Sequence, residues 1–165
     1  MKKWVSLVAI LAVALLEAML VDHFKVFGAK PDLLLITLVI LAGFFLFQLP
    51  WIITLAIIAG IFKDIFSANI FGVNTLLFCA WAILIVRISK RISIDDNLRR
   101  AALIFALALL DSIGTRIILV LWGNPIAWGI FLRIGFLSAL YTLIVSPLMF
   151  RIPWLWLSNH RIHAY

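Results

Sequence analysis

Glu17, Asp32, Lys63, Asp64, Asp111, Arg116 and Arg133 are ionisable residues set within or beside long apolar runs. Asn69, Gly72 and Asn74 crowd around the densest group, in residues 60–75, GIFKDIFSANIFGVNT. A charged side chain at the centre of a bilayer costs about 2.5–3.5 kcal/mol on insertion scales, so such groups normally face protein or trapped water. Backbone that leaves a helix at that depth is tolerated only where protein or a water-filled cavity covers it. Residues 60–75 are therefore the strongest local candidate for a function. The plain alternative is a polar turn that lets two helices reverse.

The chemistry these residues could perform is narrow. Asp64 and Asp111 could act as acid or base, but no nucleophile, metal set or pocket motif accompanies them. Gly-x-Ser-x-Gly, P-loop and dinucleotide fingerprints are all missing from the sequence, so no enzyme and no cofactor is expected. His23, His160 and His163 lack a Cys or carboxylate cluster at ligand spacing, and no metal site is expected. Cys79, the single cysteine, sits in an apolar run where packing is its natural role.

The elements that must position these residues are membrane helices. Of the 165 residues, 66 % are hydrophobic and 13 % charged, and the mean hydropathy is +1.22. Soluble domains are about half apolar and about a quarter charged. At about 20 residues per crossing, the chain forms five or six spans and a single polytopic domain over residues 1–165. The net charge of +7 lies between apolar runs, without the interleaved basic and aromatic pattern of a nucleic-acid surface. Orientation and anionic lipid account for it better, and no nucleic acid is expected as partner. Met1-Lys2-Lys3 before an apolar run imitates a signal peptide, but the run is long and no small-x-small site follows, which predicts a retained first helix.

Six spans are predicted at about 4–21, 32–47, 50–62, 73–86, 101–122 and 126–150. Pro31 at a first helical position and Asp32 in the first turn suit the start of the second. The third is short before Lys63, unless Lys63 and Asp64 are embedded in it. Residues 87–100 form a basic loop in which Asp95, Asp96 and Asn97 can cap the next helix. Residues 151–165 form a basic, Trp-rich tail suited to an interface. Lys2, Lys3, Arg87, Lys90, Arg91, Arg99, Arg100, Arg151 and Arg161 then fall on one side, against Lys25, Lys30 and Lys63 on the other. The positive-inside rule places both termini and the basic loop in the cytoplasm.

Counting depth along each span brings Glu17, Asp32, Lys63, Asp64, Arg116 and Arg133 into one layer towards the outside, with Asp111 near the midplane. Paired, they would fix how helices pack; alternatively, Lys63 and Arg133 snorkel separately to the outer headgroups. Asp111 must bond to a neighbouring helix or pair with a base. Arg116, five residues on, points elsewhere around the same helix.

These features together resemble the bacterial rod shape-determining MreD family. Pro31-Asp32 matches that family's opening to the second span. Gly60, Asp64, Ser67 and Gly72 match its Gly-x-x-x-Asp-x-x-Ser-Gly-x-x-x-Gly-like segment, with Ala68 where the family often has Gly. Asp111 matches its acidic residue in the fifth span. The resemblance covers essentially the whole chain. It implies an all-α integral membrane protein with a fold similar to the six-helix substrate-binding subunits of energy-coupling-factor vitamin transporters. It also implies a non-catalytic subunit of the cell-elongation machinery in the bacterial cytoplasmic membrane. Its implied partners are the single-span periplasmic protein MreC, the MreB cytoskeleton, the RodA glycosyltransferase and RodA's partner transpeptidase.

Two functions follow as expectations. A scaffold would use helix faces and the polar segment to receive a partner's membrane helix, with small residues such as Gly43, Ala56, Ala59 and Gly60 allowing close approach. The basic residues 87–100 would meet anionic lipid. A transporter subunit would instead use the polar layer to recognise a small molecule in an enclosed cavity. Paired polar groups favour the first, unpaired groups around a cavity the second.

Overall fold

A computed structural model of the protein describes residues 2–20, 29–45, 48–67, 70–91, 97–123 and 128–157. Among them are six helices: α1 (Lys2–Leu20), α2 (Leu33–Phe44), α3 (Leu49–Phe66), α4 (Val73–Arg91), α5 (Asn97–Leu121) and α6 (Trp128–Leu157). Four segments among the described residues are long and apolar enough to cross a membrane: Leu49–Phe66, Val73–Lys90, Ala101–Leu121 and Phe131–Met149.

The short α2 is the axis of the bundle. Its sequence, LLLITLVILAGF, is apolar on every side, and a helix hydrophobic all round must be buried. From Leu34 to Ala42 every residue is at most 6 % exposed. The other five helices all touch α2, and neighbours pack in the order α1, α3, α4, α5, α6 around it. Among the described residues α6 and α1 do not touch each other, so the ring is open at that place. Outward faces, such as Val5, Val8, Leu15 and Met19 on α1, remain apolar and exposed, as suits a lipid environment.

Helix ends depart from the expected spans in ways that matter for the polar residues. Asp32 is the N-cap of α2, its side chain accepting from the Leu35 N–H, and Pro31 lies before the cap rather than at a first helical position. The helix stops at Phe44, short of the expected 47. Pro50 sits in the first turn of α3, where a missing N–H costs nothing. Lys63 and Asp64 are embedded in the last turn of α3 rather than lying beyond it. The expected basic loop is largely helical, since α4 runs through Arg87 and Lys90 to Arg91 and α5 begins at Asn97. Arg and Lys are good helix formers, so a span continues past its apolar part. Asp95 and Asp96 lie outside the described residues. α6 likewise continues to Leu157, into the expected tail.

Candidate functional site: two polar nodes at one end of the bundle

The first node is Asp64, which is 3 % exposed. One carboxylate oxygen, Oδ2, accepts from the Gly72 N–H at 3.0 Å, the Thr75 N–H at 3.1 Å and the Thr75 hydroxyl at 2.6 Å. The other, Oδ1, accepts from the Asn74 N–H at 3.0 Å and the Asn74 side-chain amide at 2.9 Å. The first N–H groups of a helix have no intrahelical acceptor, and here a carboxylate from the preceding helix supplies one. Its negative charge also lies at the positive end of the α4 dipole.

The local sequence is shaped to this contact. Gly72 has φ +97°, a left-handed conformation that side chains resist, and it turns the chain so that its own N–H and those of Asn74 and Thr75 converge on Asp64. Gly60, one turn before Asp64, lets α3 and α4 meet: a Cβ there would lie 2.4 Å from Thr75 Cα. The Asn74 amide also donates to the Ser67 hydroxyl at 3.2 Å, closing the turn from the other side. Asn69 lies outside the described residues.

The second node joins the remaining helices. Lys63 donates to Asp32 and, at 3.1 Å, to Asp111, and its ammonium stands 4.7 Å from the centre of the Phe78 ring. The Trp81 indole N–H donates to the other oxygen of Asp111 at 2.9 Å. Glu17 accepts from the Leu34 N–H at 2.9 Å, so Glu17 and Asp32 both sit at the N-terminus of α2. From α6, the Thr142 hydroxyl accepts from the Asp32 N–H at 3.0 Å. The Ser138 hydroxyl donates to the Lys30 carbonyl at 2.6 Å. Every helix of the bundle thus contributes to the node.

Helix lengths explain why these groups share a level. At about 1.5 Å per residue, Glu17 stands about 22 Å from the Lys2 end of α1, and Lys63 about 21 Å from the Leu49 end of α3. Asp111 stands about 21 Å from the Asn97 end of α5. The sequence expectation put Asp111 near the midplane because it counted from residue 101. With the helix starting at Asn97, Asp111 joins the layer and becomes its hub.

The two arginines lie at other levels. Arg116 is 1 % exposed and lies about 7 Å further along α5, its guanidinium 5.5 Å from the centre of the Phe131 ring. Arg133 is exposed on α6, about 13 Å along the helix from Thr142, which is the α6 residue in the layer. Sequence reasoning missed Trp81, Thr75, Ser138 and Thr142. Each is a polar atom on a common membrane residue type, without charge to mark it.

Chemically the arrangement binds helices. Glu17, Asp32, Lys63, Asp64 and Asp111 all make bonds within the bundle. Among the described residues no group of three or more His, Cys, Asp or Glu is placed to hold a metal ion. Comparison with curated proteins and with solved structures gives no match. A family model described as rod shape-determining protein MreD matches residues 1–158. The match spans both nodes and all six helices, and the chain therefore belongs to the MreD family of rod shape-determining proteins.

Proposed function

We propose that the protein is a non-catalytic scaffold subunit of the cell-elongation complex, which binds MreC and so supports peptidoglycan synthesis and rod shape. MreB, RodA and RodA's partner transpeptidase are the further partners of this reading. Both termini lie in the cytoplasm, and the exposed Arg87 and Lys90 at the end of α4 face anionic lipid.

The observation that carries the reading is the satisfied state of the polar layer. A subunit that recognises a small polar molecule keeps a few convergent polar groups for it inside a cavity. Here Lys63 is taken by Asp32 and Asp111, and both oxygens of Asp64 are taken by the start of α4. That leaves helix faces as the surfaces for partners, with the nodes as their support.

Affinity purification of the protein from native membranes in mild detergent tests this. A co-purifying single-span periplasmic protein is the expected result. An ATPase module, or a small molecule retained in stoichiometric amount, would overturn it and make the layer a substrate site.

A further inference from the structure

The helices are not evenly joined. α3 and α4 form one closely packed hairpin, with Gly60 against Thr75 and the Asp64 node at its turn. α5 and α6 form a second, where Gly135 lies against Ser112 and Phe105 meets Phe136 edge to face at 6.0 Å. Contact between the hairpins, along α4 and α5, is much sparser than within either. α3 and α5 do not pack on each other among the described residues, yet Lys63 of α3 reaches Asp111 of α5.

Two polar bonds across this boundary meet on one side chain. Asp111 takes the Trp81 indole on one oxygen and the Lys63 ammonium on the other, so it holds both helices of the first hairpin. The Asp111 and Lys63 side chains keep 10 % and 18 % exposure, so the boundary is not sealed there. Packed helix pairs move as bodies, by hinge or small shear, at the boundaries where contact is least.

We propose that Asp111 is the latch of a seam between two rigid hairpins, α3–α4 and α5–α6, which part when its bonds to Trp81 and Lys63 are released. Lys63 remains with the first hairpin, held by Asp32 on the central helix. The inference does not depend on which partner the protein binds.

Spin-label distance measurements on the full-length protein in lipid nanodiscs test it, with Cys79 replaced by Ala. One label pair spans the seam at the exposed Leu76 and Ile117; the other lies within the first hairpin at the exposed Ile65 and Leu76. Asp111→Asn removes the charge for Lys63 while keeping an acceptor for Trp81. Trp81→Phe removes only the indole donor. The expected result is a seam distribution that broadens and shifts to longer distance, more for Asp111→Asn than for Trp81→Phe, with the hairpin distribution unchanged. An unchanged seam distance in either folded variant overturns the proposal. So does equal broadening of both pairs, which would make Asp111 a general packing residue. If Asp111→Asn does not fold, Trp81→Phe alone decides.

Discussion

Asp64→Asn isolates the first node with almost no change in volume. The carboxylate serves five donors, and an amide keeps one acceptor oxygen and replaces the other with a donor. If the amide nitrogen takes the Oδ1 position, the N–H and side-chain amide of Asn74 lose their acceptor. If it takes the Oδ2 position, the N–H groups of Gly72 and Thr75 do, while the Thr75 hydroxyl can rotate. Either way two buried or half-buried donors lose this acceptor, at about 1–3 kcal/mol each. Loss of the charge at the α4 N-terminus adds about 0.3–1 kcal/mol. The expected destabilisation is about 4–5 kcal/mol, the middle of those ranges taken together. Titration from mild detergent into denaturing detergent measures it, with the reaction of Cys79, half-buried and the single thiol, reporting unfolding. A variant within about 1 kcal/mol of the wild type would mean that the donors find other acceptors, and the capping argument would fail.

The two glycines of the same motif should separate in that assay. Gly60→Ala drives a methyl group into the Thr75 backbone and should cost about 1–3 kcal/mol or more, whereas Gly72→Ala meets open space and loses only about 1–2 kcal/mol to its left-handed φ. Lys63→Met should cost about 3–5 kcal/mol by stranding carboxylates, and a double-mutant cycle with Asp111→Asn should show coupling of about 0.5–3 kcal/mol; additivity would deny the contact. Arg133→Ala should change stability by no more than about 0.5 kcal/mol, because the side chain is exposed and outside the layer; a large loss would restore it to the polar node.

Much of this architecture was legible in the chain because depth follows from counting. Apolar runs broken by polar pairs marked the helices, and a fixed rise per residue put Glu17, Asp32 and Lys63 at one level. Asp111 was misplaced by the same count, since the polar residues 97–100 extend α5 before its apolar run begins. Rotation about each helix was not legible. Whether Arg133 faces inward or outward depends on how α6 seats against α5 and α2, and that is a tertiary outcome. The family segment with Asp64 stood out, yet its role did not: a carboxylate beside two glycines reads equally as a ligand site or a cap until the direction of the Thr75 and Asn74 donors is known. Trp81 and Thr142 became part of the layer only through packing.

The separation of partners along the chain sets an order for assembly at the ribosome. Asp64 finds its acceptor role within 11 residues, and Lys63 finds Asp32 31 residues behind it, already made. Its second partner, Asp111, is 48 residues ahead. At synthesis rates of about 5–20 residues per second, α3 can close on α4 through Asp64, and Lys63 can pair with Asp32 of α2, seconds before α5 is complete. The nascent chain thus never has to hold that ammonium alone in lipid, and the second hairpin docks onto a surface that is already built.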